Sequence, residues 1–398
     1  MIRHLFKLIW NRKRSNFLMI TEIFISFFVM FMALMVLCYI SGNYFRPLGF
    51  SYEDVWILTM DFKNSGEEEI VTALQQYDNI FESYPEVEHF SLSNSMIFMP
   101  DAMNTSNHKY EDREISSQIM QAGDDFHKVL GVEILTGRWF DEGDRAAAKP
   151  PVVINYRLRD ELFGTENPLG KTIVRSDKEY TVIGVVGEFR RGGELTGSIR
   201  ACFYRFSCDT EAGRKRLAEN IFNRYLIKVR PGTGLDFEEK MLKDLGLAGK
   251  NFTLKAEKME ETRRKAFKKT VTLPIILLII SGFLISNVAL GLFGVIWYNI
   301  NRRRSEIGLR RAMGASVNNI YQQIIGEVSV ITTFGVIIGS FFALQFPLLN
   351  LFKFISTGTY MFAFVLTLLF IYLITLICSL YPSRLAAAID PAAALHEE

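Results

Sequence analysis

The stretch FLMITEIFISFFVMFMALMVLCYI, residues 17–40, is almost unbroken apolar sequence interrupted only by Thr21, Glu22 and Ser26. At about 1.5 Å per residue, a helix over it covers roughly 36 Å, enough to cross a hydrocarbon core of about 30 Å. Arg3, Lys7, Arg12, Lys13 and Arg14 precede it, and Ser41-Gly42-Asn43 follows. A secretory signal has a shorter apolar core ending in a small-residue cleavage site, so this segment is expected to stay as an uncleaved anchor. The basic residues place the N-terminus in the cytoplasm. Within residues 1–16 the spacing of Ile2, Leu5, Phe6, Ile9 and Trp10 suits an amphipathic helix lying on the inner membrane surface.

Outward from this anchor, residues 42–270 change character. They contain no spanning run, many turn residues and short alternating stretches. Residues 151–155, 179–186 and 225–229 are β-branched and bounded by Gly, Pro or charge, which predicts strands, and residues 67–83 and 237–245 carry helical periodicity. A mixed α+β domain of two small lobes is expected. Three further apolar runs follow, Leu273–Tyr298, Ile324–Leu349 and Tyr360–Tyr381. The expected fold class is thus a membrane protein with four transmembrane helices and a large extracytoplasmic α/β domain between the first two. The segments are 17–41 (first span), 42–270 (outer domain), 271–300 (second span), 301–323 (cytoplasmic), 324–350 (third span), 351–359 (external loop), 360–381 (fourth span) and 382–398 (cytoplasmic tail).

Composition agrees. With 49% hydrophobic residues and a mean hydropathy of +0.14 the chain is too apolar for an ordinary soluble enzyme, while 22% charged residues exclude an all-membrane protein. A net charge of +2 and pI near 8.2 point to no nucleic-acid partner.

The segment between the second and third spans reads Asn301-Arg302-Arg303-Arg304-Ser305-Glu306-Ile307-Gly308-Leu309-Arg310-Arg311-Ala312-Met313-Gly314-Ala315-Ser316, with Ile320 and Glu327 beyond it. Its arginine density makes it cytoplasmic. A short basic helix joining two spans suits docking into a cleft: Arg310 and Arg311 offer forks to acidic groups and Glu306 answers a basic one. Gly314 lets the chain turn and Ser316 caps the next helix. Anchoring of the arginines at anionic headgroups is the blander alternative. The segment resembles the cytoplasmic signature of FtsX-like permeases. The tail Arg384-Leu385-Ala386-Ala387-Ala388-Ile389-Asp390-Pro391-Ala392-Ala393-Ala394-Leu395 is similar to that family's closing segment. In the outer domain, residues 135–140 (LTGRWF), 162–171 (LFGTENPLGK) and 182–187 (VIGVVG) resemble the periplasmic domain of MacB-type permeases. Residues from about Asp61 to Gln118 carry no matching motif.

The resemblance implies the permease subunit of an ABC (type VII, mechanotransmission) system in a bacterial inner membrane. Residues Glu306, Ile307, Gly308, Arg310, Arg311, Met313, Gly314, Ala315 and Ser316 then form a coupling helix for a separate ATPase subunit. That partner binds ATP and Mg, so no cofactor is expected in this chain. It also implies a homodimer or heterodimer with a related permease, contact with membrane lipid, and an outer-membrane or periplasmic adaptor as a further partner. Relatives serve antimicrobial peptides, hydrophobic small molecules, lipoproteins and activation of cell-wall hydrolases, and the substrate is not legible here. The alternative of another class is a sensory membrane protein that relays an outer signal through residues 302–316. A membrane enzyme is disfavoured because no nucleophile, base or metal set can be named.

Several near-motifs in the sequence fall short of a site. Gly164 to Gly170-Lys171-Thr172 has five residues between its glycines where a phosphate-binding loop has four, and Pro168 interrupts it. The five histidines are scattered and indicate no metal site. Cys202 and Cys208 lie outside, where a disulfide can form, yet six residues of straight strand would hold their Cα atoms too far apart without a turn. Gly335-xxx-Gly339 and Gly282-xxx-Ser286 are small-residue pairs that serve either dimer or intrachain helix packing. Glu22 and Glu327 are expected near the inner interface, and not as a proton relay. The charged run Lys255–Lys269 reads equally as a helical stalk or a solvated linker. Its cluster Arg263, Arg264, Lys265, Lys268 and Lys269 falls on the outer side, against the positive-inside trend from which long translocated domains are exempt.

Overall fold

The structure, a computed structural model, describes residues 13–62, 65–99, 104–206, 214–215, 223–249, 252–349, 351–352 and 355–387. Residues 1–12 of the expected amphipathic helix, the Asp390-Pro391 pair and Cys208 lie outside them. The chain divides into two compact units, residues 1–42 with 271–398, and residues 43–270.

The membrane unit contains helix α1 (Lys13–Tyr44) and most of a helix whose bounds are Met259–Arg302, α6 in chain order. Beyond it lie α7 (Arg304–Ala312), α8 (Val317–Leu348) and α9 (Thr357–Ala387). All but α7 are long and apolar enough to cross a membrane. Lipid tails are as apolar as leucine, so close approach and hydroxyl bonds hold such helices together more than exclusion of water does. Along α1, Met19, Ile23, Phe27, Phe31 and Met35 recur every fourth residue and are buried against α8 and α9. Helices α8 and α9 share a hydroxyl seam. Thr332 Oγ1 lies 3.4 Å from Thr375 Oγ1, and Thr333 Oγ1 lies 2.8 Å from the Tyr372 hydroxyl.

In the outer unit one lobe is a split β-α-β pair. Strands β1 (Val55–Asp61), β2 (Val87–Ser93), β10 (Asn223–Val229) and β11 (Thr253–Lys258) pair antiparallel in the order β11-β1-β10-β2. Helices α2 (Glu67–Ser83) and α5 (Leu235–Ala248) follow β1 and β10. Trp56, Leu58 and Met60 of β1 pack on Leu74, Tyr77, Phe81 and Met241, whereas Val55 and Ile57 enter a second core with Phe126 and Phe203. Both faces of β1 are therefore covered. This is why Val55–Met60 reads as a continuous apolar run and not an alternating one.

The second lobe is inserted between β2 and β10. Strands β4 (Arg113–Ala122), β3 (Thr105–Tyr110), β7 (Thr172–Arg175), β8 (Lys178–Val186), β6 (Pro151–Asn155) and β9 (Ala201–Arg205) follow one another in space, and β9 returns to pair parallel with β4, closing a six-stranded ring. Strand β5 (Ile134–Gly137) adds to β8, and the short helices α3 (Phe126–Leu130) and α4 (Tyr156–Leu162) cover the lobe. Asn155 fastens the ring. Its side-chain oxygen caps α4 at Leu158 N (3.1 Å) and accepts from Ala201 N (2.9 Å), while its amide donates to the Ile199 carbonyl (2.7 Å). Among the apolar side chains of this lobe sits His108, fully buried, with the Tyr204 hydroxyl 2.6 Å from Nε2 and Ser117 Oγ 2.9 Å from Nδ1. Burial, aided by the Arg175 charge, lowers its pKa to about 4.

The run Lys255–Lys269 is neither wholly stalk nor linker. Residues through Lys258 form the edge strand β11, and the helix starts at Met259 and continues unbroken past Pro274 to Arg302. Cys202 is a free thiol buried in β9.

Candidate functional site

Helix α7 is a nine-residue element whose position is set on one side by burial and on the other by a turn. Ile307 (8% exposed) packs with Ile296 and Ile300 of α6 and Ile320 and Val328 of α8, and Gly308 is buried beside it. The helix ends where Gly314 takes φ +95°, a backbone state that L side chains rarely adopt. Ala315 N–H then donates to the Arg310 carbonyl at 3.0 Å, the six-to-one bond of a Schellman end. Ser316 Oγ accepts from Asn319 N at 3.2 Å and caps α8, so the helix begins well before the apolar run at Ile324.

Polar groups tie α7 to α8 by a continuous chain. Arg310 Nη2 donates to Glu306 Oε1 (2.6 Å) and its Nη1 to Gln323 Oε1 (2.6 Å). Gln323 Nε2 donates to Glu327 Oε1 (3.1 Å), and Arg303 Nη1 donates to Glu327 Oε2 (2.7 Å). Glu306 and Arg310 bond each other and Arg310 bonds the next helix, while both side chains stay partly exposed. Their i,i+4 spacing made that pairing available. The side chain of Arg311 is outside the described residues.

Alongside exposed Arg304, Ser305 and Glu306, α7 and its turn present apolar side chains outward. Met313 is 73% exposed, and Leu309 and Val317 are each 50% exposed. Leu309 lies on α7, Met313 in the turn and Val317 at the start of α8, so exposed apolar side chains flank the junction of the two helices. Leu309 and Val317 are not among the residues that the sequence motif singles out. The available signal was a second apolar position on a helix whose buried face Ile307 already supplied. The site holds no arrangement for acid–base or nucleophilic work, and no group of three metal-ligating side chains occurs among the described residues.

The remaining sequence-predicted residues separate. A Cβ on Gly335 would meet Ile23 at 2.7 Å and the Ile20 carbonyl at 3.1 Å, and one on Gly339 would meet Phe27 at 2.5 Å. This pair seats α1 against α8 within the chain. A Cβ on Gly282 would meet nothing within 4 Å, and Ser286 turns its hydroxyl back to the Gly282 carbonyl at 2.9 Å. Glu22 faces Gly291 of α6, whose added Cβ would collide with its carboxylate.

Comparison with known proteins accords with this architecture. The profile of the MacB-like periplasmic core domain matches residues 21–236, and that of the FtsX-like permease C-terminal region matches residues 278–391. The macrolide export ATP-binding/permease protein MacB of Neisseria meningitidis is 29% identical over 232 residues, covering 58% of this chain and 35% of that protein. The protein of the same name from Burkholderia lata is 27% identical over 309 residues, 74% of this chain and 43% of that one. This chain therefore spans less than half the length of these relatives. The periplasmic region of MacB from Actinobacillus actinomycetemcomitans aligns with 55% of this chain and 94% of its own, at 15% identity and a TM-score of 0.37.

Proposed function

The chain belongs to the FtsX-like permeases that carry a MacB-like periplasmic core domain, and from that premise we propose that it couples ATP hydrolysis on a separate nucleotide-binding subunit to movement of its outer domain. In this reading it sits in a bacterial inner membrane with both termini cytoplasmic, pairs with a second permease, and drives export or extrusion of a peptide, lipoprotein or hydrophobic compound. ATP and Mg bind the partner.

The observation that carries the reading is the exposure of Leu309, Met313 and Val317 around the junction of α7 and α8, more than half of Met313 lying open in the turn that ends a helix too short to stand alone. Burial of these three side chains in a cleft of the ATPase supplies the contact. The Arg310–Gln323–Glu327–Arg303 chain holds the helix so that a push on it reaches α8. The test is purification of the tagged full chain in detergent, native and Leu309→Glu/Met313→Glu, with Leu247→Glu on the exposed face of α5 as control. A nucleotide-binding subunit retained by the native and control chains and lost by the double variant supports the reading. Equal retention by all three removes these side chains from the interface.

A further inference from the structure

The first lobe of the outer domain carries a groove that the coupling scheme does not use. It lies between α2 and the C-terminal end of α5 and holds about 260 Å³. Its lining includes Glu68, Glu69 and Gln76 of α2, Ala248 and Gly249 at the end of α5, and Phe252 just before β11. A pocket for a drug-sized molecule holds roughly 300–1,000 Å³, so this one suits a single long side chain.

The groove has the chemistry of a cation acceptor. The first turn of α2 carries Glu67, Glu68 and Glu69, which outweigh the positive end of that helix. Helix α5 brings its negative end to the same place and has no basic residue in its last turn. Among the described residues the carboxylate of Glu68 and the amide of Gln76, both exposed, make no hydrogen bond or ion pair. Lys255 is paired with Glu257 at 3.4 Å, and Lys250 lies outside the described residues.

At the floor is a hydroxyl with nothing to bond. Tyr77 is fully buried, and its hydroxyl has no hydrogen-bond partner among the described residues. Folded proteins rarely leave such a group orphaned. A Cβ on Gly249 would collide with that hydroxyl and lie 2.6 Å from the Phe252 ring, so it is the bare glycine that lets the phenol come up beneath two lining residues. Burial pushes the phenol up to about 12, which keeps it neutral, with lone pairs to accept and a proton to donate. Phe252 is half-buried, and Phe62 meets its ring edge-on with 4.9 Å between centres.

We propose that this groove binds the guanidinium of an arginine side chain presented by a partner polypeptide. Glu68 supplies the countercharge, Gln76 Oε1 and the Tyr77 hydroxyl accept further N–H bonds, and the guanidinium plane lies on the Phe252 ring. Five donors in a fixed planar fork match acceptors spread over rim and floor, whereas an ammonium offers a point charge and three donors. The inference rests on residues 43–270 alone and holds whether or not the chain couples to an ATPase.

The test is a ligand-observed NMR titration of the full chain in detergent with N-acetyl-arginine amide, its neutral isostere N-acetyl-citrulline amide, and N-acetyl-lysine amide. The native chain is expected to bind the arginine probe with a dissociation constant on the order of millimolar, about tenfold tighter than the citrulline probe and about threefold or more tighter than the lysine probe. Glu68→Gln and Tyr77→Phe are each expected to weaken that binding about fivefold or more, while Glu82→Gln, at the far end of α2, leaves it unchanged. Glu68 is exposed, so its variant reads binding and not folding. No binding, equal binding of the arginine probe and either of the others, or native affinity in Glu68→Gln or a folded Tyr77→Phe overturns the proposal. So does binding that appears only with Lys250→Ala, which would make the chain's own lysine the occupant.

Discussion

Arg303 Nη1 lies 2.7 Å from Glu327 Oε2, with the two side chains only 15% and 19% exposed. This ion pair joins the residue that separates α6 from α7 to the third turn of α8. Removing either partner strands a half-desolvated charge, at a cost of about 1–3 kcal/mol. Arg303→Met and Glu327→Gln are each expected to lower the thermal midpoint of the full chain in detergent. The double variant is expected to lose less than the sum of the two, because the stranded charge is gone. Additive losses would mean the pair is not coupled.

The close approach of α1 to α8 leads to a contrast between glycines. Gly335→Leu or Gly339→Leu drives a side chain into Ile23 or Phe27 and is expected to destabilise the membrane unit by about 1–3 kcal/mol. Gly282→Leu, with open space around it, is expected to leave the melting midpoint unchanged in the isolated chain. Thermal unfolding of the three variants in one detergent checks the ordering.

How much of this was legible in sequence depends on what each segment buries. Apolar length alone located the spans, and Pro151–Asn155 announced a strand because both of its faces are covered. The unmatched stretch from Asp61 to Gln118 holds α2 and the strands β2, β3 and most of β4. β3 was invisible as a strand because its buried positions are His108 and Tyr110 in an otherwise polar run, Thr105–Tyr110. Burial of a histidine needs Tyr204 and Ser117, residues from strands that no local pattern connects to it. Closure of the ring through β4 and β9 spans some eighty residues and has no local signature either. At α7 the charges and the i,i+4 spacing of Glu306 with Arg310 are legible, whereas the bond of Arg310 to Gln323 and the exposure of Leu309, Met313 and Val317 depend on how α8 packs, which has no local signature.

His108 makes the outer domain acid-sensitive. With the folded pKa lowered from 6.5 to about 4, the unfolded state binds a proton that the folded state refuses between those values, so stability falls as pH drops from about 6.5 to 4. The loss approaches roughly 3 kcal/mol at its lower end. His108→Gln is expected to be less stable at pH 7 and to show a flatter profile over this window. Tryptophan fluorescence of the full chain, reporting on buried Trp56 and Trp139, reads both.

Gly314 is the residue at which α7 gives way to α8. Gly314→Val forces a β-branched side chain into φ +95°, at a cost of about 1–2 kcal/mol or more, although no neighbour would clash with it. The expected result is a chain that inserts and keeps its outer domain but binds the nucleotide-binding subunit at least about tenfold more weakly, measured by titration in detergent.

The most direct measurement is ATP hydrolysis by the complex reconstituted in lipid nanodiscs with the native chain or with Met313→Glu. The account predicts vanadate-sensitive hydrolysis with the native chain and a loss to background with Met313→Glu, although that variant is inserted and folded. Hydrolysis of equal rate with both chains, or a native chain that never carries an ATPase, would contradict it and leave relay of an outer signal as the role of the α7 surface.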